Sequence, residues 1–253
     1  MSGHSHWATI KRKKGANDAK RGQAFTRLGR EIAVAAREGG PDPDSNFKLR
    51  LVVDKARAAG MPKDNIERAI RRGAGLDKDA VAFEEAMFEG YGPHGVAMIV
   101  KVVTDNRNRT ISDLRRLFTR SGGNLAENGA VAWSFETRGY ISAPKENLDA
   151  DKAFELALEV GAEDVEVGDE TVEFYTQPTD LHTVGKALQA VGVKPDSMEL
   201  IMRPKQPMTL AVKEAASVVN VIESIEELDD VQSVYSSLDI TDELAAQLEA
   251  QAA

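Results

Sequence analysis

Apolar positions keep a helical period in the first third of the chain and a strand period after it. Phe25, Leu28, Ile32 and Ala35 recur every three or four residues and so share one face of a helix. Asn17 or Asp18 caps that helix, which runs to about Arg37 and is ended by Gly39-Gly40. Arg27, Arg30 and Arg37 point roughly the other way. Asp44 or Ser45 starts a second helix, with Phe47, Leu51, Val52 and Ala56 inward. Gly60-Met61-Pro62 breaks it, and Pro62 suits the first turn of a third helix, DNIERAIRRG. There Ile66, Ala69 and Ile70 are apolar, and Arg68, Arg71 and Arg72 face outward. Gly73 and Gly75 close it. This core is thin, so the helical region is expected to lean on the rest of the protein.

From residue 83 the period shortens. FEEAMFEGYGPHGVAMIVKVVTD reads as two strands joined at Gly90–Gly95. NRTISDLRRLFTRSGG is a helix with Ile111, Leu114, Leu117 and Phe118 inward, and GAVAWSFETRG alternates as a strand. Residues 139–204 then run strand, helix, strand, strand, helix, strand, which is the ferredoxin-like order. One helix, KEAASVVNVIESIEEL, and one strand, VQSVYSSL, follow alone. They need a sheet to join, and the sheet begun at 83–137 lacks such a pair. The expected fold class is therefore α+β, with a basic helical domain followed by two ferredoxin-like α/β domains, one inserted in the other. The expected domains are 1–75; 76–138 with 205–240; the inserted 139–204; and an acidic tail, 241–253.

Charge sharpens this division. The 253 residues carry 32 Lys+Arg and 41 Asp+Glu, a net of -9. Residues 1–75 hold 17 basic and 8 acidic side chains, net +9, and residues 76–253 are net −18. A split of this size is a statement about partners: the basic part is free to meet a polyanion. No stretch approaches the ~20 apolar residues of a membrane span, and no apolar run follows the N-terminal charge as in a secretory signal. With no cysteine, disulfides, thiolate catalysis and Cys-based zinc sites are excluded. The expectation is a soluble, cytoplasmic protein without a membrane partner.

Little in the sequence points to catalysis. His4 and His6 are close enough to share a metal but lack a nearby Cys or carboxylate; His94 and His182 are isolated. No P-loop, Gly-x-Ser-x-Gly or GxGxxG pattern occurs, and the acidic clusters read as solvated faces. The expectation is no enzyme, no metal, no cofactor and no small-molecule substrate.

The basic head is different. Cations recur on all of its helices: Lys11, Arg12, Lys13, Lys14, Lys20, Arg21, Arg27 and Arg30, then Lys48 and Lys55, then Lys63, Arg68, Arg71 and Arg72. Such a surface neutralises phosphate without choosing sequence. Trp7 either stacks on a base or plugs the helical core. The helix–turn–helix spacing around Gly60-Met61-Pro62 would match any two short helices joined by a turn. A second patch is TDNRNRT, where Asn108 or Thr110 is a sensible N-cap. Arg107 and Arg109 sit at that helix start, the unfavoured end of the dipole for cations. Either they pair with local acids such as Asp105 and Asp113, or they face an anion from outside.

GHSHWATIKRKKGANDAKRGQAFTRLGREI, GGPDPDSNFKLRLVVDKARAAGMPKDNIERAIRRGAG, EGYGPHGVAMIVKVVTDNRNRT and GGNL together resemble the YebC/PmpR family, across essentially the whole chain. His6 departs from it, since the family commonly has Lys there. The resemblance implies three domains, one inserted in another, with no enzymatic activity and no cofactor. It implies a nucleic-acid partner. Members are generally labelled transcriptional regulators that bind DNA, and others look like rRNA- and ribosome-associated translation factors that help proline-rich nascent chains along. The family's basic head maps to Lys11–Lys14, Lys20 and Arg21, and its GMPKDNI turn to Met61, Pro62, Lys63, Asp64 and Asn65.

Overall fold

The computed structural model describes residues 18–76, 82–145, 148–168, 170–241 and 244–247, with residues 18–21 described in backbone only. Three helices come first: α1 (Asp18–Gly39), α2 (Phe47–Ala58) and α3 (Lys63–Gly73). They enclose Leu28, Ile32, Ala35, Ala36, Leu49, Val53, Ala56, Met61, Ile66 and Ala69. Gly40, at φ 90°, ends α1 with its N–H on the Ala36 carbonyl at 3.0 Å. Gly73 lets α3 approach α1, because a Cβ there would stand 2.1 Å from the Ala33 carbonyl oxygen.

The start of α2 differs from the expectation. Its N-cap is Asn46, not Asp44 or Ser45. Asn46 Oδ1 accepts from the Leu49 N–H at 3.1 Å. Its Nδ2 donates to the carbonyls of Ala35 and Gly40, both at 2.8 Å. One buried amide thus fastens the end of α1 to the start of α2, and this turns Leu49, Val53 and Ala56 inward. Leu51 and Val52 end half-buried, and Phe47 is left 41% exposed.

Two four-stranded sheets follow. The first contains β1 (Glu84–Tyr91), β2 (Ala97–Thr104), β3 (Asn124–Ala126) and β8 (Val231–Ser236), in the order β3-β1-β2-β8. Helices α4 (Arg107–Arg120) and α7 (Val212–Glu226) precede β3 and β8. β1 and β2 form an antiparallel hairpin from Glu84↔Thr104 to Tyr91↔Ala97. The helical region does lean on this sheet: Ala33 and Val34 of α1 cluster with Phe83 and Val103.

The second sheet contains β4 (Phe135–Pro144), β5 (Asp164–Val167), β6 (Thr171–Thr176) and β7 (Ser197–Pro204), in the order β5-β6-β4-β7. With α5 (Ala150–Val160) and α6 (Leu181–Ala190) between strands, this is the ferredoxin-like arrangement. Ile141, Val172 and Phe174 pack under these helices. On the alternate positions, Tyr140 and Tyr175 donate to the buried Glu173 carboxylate at 3.0 and 3.1 Å. The strand seen in GAVAWSFETRG and the first strand of 139–204 are a single strand, β4, wholly in this sheet. The pairing with β7 runs unbroken through Gly139, whose absent side chain makes room: a Cβ would lie 2.2 Å from Thr176 Oγ1.

By contacts the chain divides into two compact units. One holds the described residues up to Val131 together with Ala216–Val234. The other holds Ala132–Ala215 and the described residues from Tyr235 onward. All of β4–β7 lies in sequence between β3 and β8, so the second sheet interrupts the first.

Candidate nucleic-acid interface

Trp7, Lys11, Arg12, Lys13 and Lys14 lie outside the described residues. Lys20 and Arg21 stand in the first turn of α1, and only their backbone is described. His4 and His6 also lie outside them. Among the described residues no group of three or more His, Cys, Asp or Glu is placed to hold a metal ion.

Arg27 and Arg30 have partners inside the protein. The last carbonyls of a helix have no partner within it, and those at the end of α7 and in the turn after it are met by one ridge of α1. Gln23 Nε2 donates to the Glu227 carbonyl at 2.6 Å. Arg27 Nη2 donates to the Glu226 carbonyl, and to that of Leu228 at 3.5 Å. Arg30 Nη1 donates to the Asp229 carbonyl at 2.5 Å. Arg27 and Arg30 are cations at the negative end of a helix dipole, where they stabilise. Burial pushes the Arg27 guanidinium below its ordinary pKa, against the opposing pull of Glu226 and Asp229. Nothing near Arg27 in sequence announces this, because its partners lie about 200 residues away.

Asp230, one residue before β8, gathers a second set. It is 7% exposed. Its carboxylate accepts from Arg30 Nη1 at 2.7 Å, Arg109 Nη2 at 3.0 and 2.8 Å, Thr104 Oγ1 at 3.1 Å and Thr110 Oγ1 at 2.7 Å. Burial alone would raise its pKa. The hydrogen bonds from Arg109 and Thr110, the Arg30 charge and the Thr104 hydroxyl outweigh this and hold it below the usual carboxylate range. Arg109 also pairs with Asp105 at 2.8 Å. Of the two readings of Arg109, pairing within the protein is the one observed, and Asp230, far off in sequence, is its buried partner. Asn106, rather than Asn108 or Thr110, caps α4, accepting from the Arg109 N–H at 3.1 Å. Thr110 is spent on Asp230. Arg107 takes a different contact, with its guanidinium 5.1 Å from the Phe88 ring centroid.

The third helix is more open. Met61 is 8% exposed and belongs to the helical core; in the rest of the GMPKDNI turn Gly60, Pro62, Lys63 and Asp64 are exposed, Asn65 is half-buried and Ile66 is buried. Lys63 meets Glu67 at 3.5 Å with its side chain 86% exposed. Arg68 and Arg71 are exposed. Arg72 is exposed too, but its guanidinium sits 4.4 Å from the centroid of Phe83. The sequence-selected cations with described side chains therefore differ in their surroundings. Arg27, Arg30, Arg72 and Arg109 are engaged internally. Lys63, Arg68 and Arg71 stand exposed on α3, within the basic head.

The chain has relatives over its full length. A family model described as the TACO1/YebC protein N-terminal domain matches residues 5–76. A second, the TACO1/YebC second and third domain, matches residues 83–238. A protein of Acidithiobacillus ferrooxidans is 50% identical over 99% of both chains. One from Trichlorobacter lovleyi is 51% identical over 95% of this chain and 97% of its own. Both are named "Probable transcriptional regulatory protein". A crystal structure of a conserved hypothetical protein from Aquifex aeolicus superposes with a TM-score of 0.82 at 43% identity, over 88% of this chain and 91% of that one. No helix of the described residues is long and apolar enough to cross a membrane. By two family models that together span nearly all of it, and by relatives at half identity over their whole length, the chain belongs to the TACO1/YebC family.

Proposed function

We propose that this protein is a non-enzymatic, cytoplasmic regulator of gene expression that binds nucleic acid through its basic head, in the manner of a DNA-binding transcriptional regulator. The observation that carries the reading is the charge split, net +9 in residues 1–75 against −18 in the remainder. The names of the relatives support the regulatory part of it. Residues 1–75 are the docking domain, and residues 76–253 are an acidic body. Lys11–Lys14, Lys20 and Arg21 supply the charge, Trp7 a face for stacking, and Lys63, Arg68 and Arg71 extend the surface along α3. Arg27, Arg30 and Arg109 hold the domain in place instead.

A second reading, an rRNA- and ribosome-associated translation factor, draws on the same charge split. A strongly acidic body repels flanking duplex, whereas a basic prong entering a groove of phosphate leaves that body outside. No coiled-coil zipper or half-site pair is evident to read an operator. Gradient sedimentation of cell lysate, with and without RNase or DNase, separates the two. Complexes dissolved by DNase alone support the DNA reading. Co-migration with ribosomal particles, abolished by RNase, replaces it with the second. Slow sedimentation unaffected by either nuclease overturns both.

A further inference from the structure

Helix α4 carries a charge that the acidic body around it does not explain. Its sequence, RNRTISDLRRLFTR, holds five arginines and one aspartate in 14 residues. It belongs to the stretch 76–253, which is net −18. Helices α5 and α7 of that stretch run the other way: Asp151, Glu155 and Glu159 outnumber Lys152, and Glu214, Glu223 and Glu226 outnumber Lys213. A cationic helix is ordinarily a solvated surface, and Arg120 in the last turn gains from the dipole. Neither reason calls for arginine at every charged position but one.

The geometry sorts these five. Arg109 is committed to Asp105 and Asp230 and Arg107 to Phe88. Leu114 and Phe118 are fully buried and turn the opposite side of the helix outward. On that side Arg115, Arg116 and Arg120 are exposed, together with Ser112 and Thr119. At 3.6 residues per turn, Arg109, Arg116 and Arg120 fall within about 20° of one line, and Arg116 and Arg120 stand about 6 Å apart along the axis. Arg116 meets Asp113 at 3.4 Å with its own side chain 71% exposed, a contact too open to hold it. Arginine forks interspersed with hydroxyls are the groups that contact a phosphate backbone.

We infer that the outer face of α4, formed by Arg115, Arg116 and Arg120 with Ser112 and Thr119, is a second phosphate-binding surface that engages the same nucleic acid as the basic head. This rests on the nucleic-acid reading above and adds to it a contact outside residues 1–75. The face neutralises backbone charge at a second point, so the acidic body is held to the polyanion where repulsion would otherwise push it away.

The test uses the full-length protein with all three arginines changed, Arg115→Gln, Arg116→Gln and Arg120→Gln, and a control with the same three changed to Lys. Binding to a labelled duplex DNA and a labelled RNA hairpin is followed across a salt series. Removing one phosphate-binding cation lowers the slope of log affinity against log salt by about one. The Gln variant should bind at least tenfold more weakly at low salt, with a slope reduced by about three, and the Lys variant should recover most of both. Matching circular dichroism and melting curves confirm that the exposed substitutions leave the fold intact. Wild-type binding with an unchanged slope in the Gln variant overturns this inference and leaves the basic-head reading standing. Failure of the wild type to bind either probe overturns both.

Discussion

Arg109 Nη2 donates to both carboxylate oxygens of Asp230, at 3.0 and 2.8 Å, across 121 residues of sequence. Arg30, from the helical region, donates to the same carboxylate at 2.7 Å. Asp230 is thus the buried anion that ties α1 to the start of α4. Asp230→Ala leaves the mostly buried Arg30 guanidinium and the Thr110 hydroxyl without it. Losing one partner of a buried charge pair costs about 3 kcal/mol, so denaturant unfolding should show a loss near that size. The pH dependence follows from the depressed carboxyl. The unfolded chain takes up this proton near pH 3.9 and the folded protein only at lower pH. The stabilisation is therefore complete above about pH 4 and lost as pH falls through the folded value. Wild type and Asp230→Asn should differ most in melting temperature near neutrality and converge in acid. A gap that stays constant down to pH 2 would show that the charge is not what matters.

Arg27 and Arg68 make opposite predictions although both are basic-head arginines. Arg27 caps the carbonyls of Glu226 and Leu228 and is partly buried; Arg68 is exposed. Arg27→Ala removes hydrogen bonds from a charged group, worth about 2 kcal/mol, and should lower the melting temperature. Its effect on nucleic-acid affinity, measured well below that temperature, should be under threefold. Arg68→Glu should leave melting unchanged and weaken binding severalfold, more so at low salt. If Arg27→Ala weakens binding as much as Arg68→Glu without destabilising, the assignment of Arg27 to the α7 cap is wrong.

Asn46 offers a test of the helical region alone. Its amide caps α2 and satisfies the Ala35 and Gly40 carbonyls. Asn46→Ala removes the cap and leaves two carbonyls short of the buried amide donor, at a cost of about 3 kcal/mol. Asn46→Asp keeps the cap but replaces the amide donor with a carboxylate facing two carbonyls, so it should rescue little. Chemical unfolding of the three proteins checks the order. Full rescue by Asp would mean that the helix cap, and not the bridge to α1, carries the energy.

Much of the fold was legible because it is written in local periods. The three helices, the β1–β2 hairpin and the βαββαβ order of the second sheet follow from apolar spacing and glycine punctuation. The misreadings have particular causes. Gly139 looked like a strand end and is a close approach inside one strand. With Asp44 or Ser45 as the start, Asn46 falls in the first turn of the helix; it is the cap instead because its amide also reaches back to Ala35. The site was less legible than the fold. Charge alone could not tell a cation that meets phosphate from one that meets a carbonyl. Arg27, Arg30 and Arg109 find their partners in residues 226–230, which no spacing rule connects to them.

The segment Lys11–Lys14 concentrates four positive charges in four residues and carries the functional proposal. Changing all four to Glu moves the net charge of residues 1–75 from +9 to +1. Charge reversal replaces attraction to phosphate by repulsion, whereas among the described residues the cores of the helical region and both sheets lie at residue 25 and beyond. The expected outcome is binding to DNA and RNA weakened at least a hundredfold, with melting temperature within a few degrees of wild type. The wild-type affinity should also fall steeply as salt rises, since phosphate contacts release counterions. A partner that is an acidic protein would give the same salt response, so the decisive arm is nuclease treatment of the captured complex. Binding that survives the reversal removes the head as the site; a complex that survives both RNase and DNase removes nucleic acid as the partner.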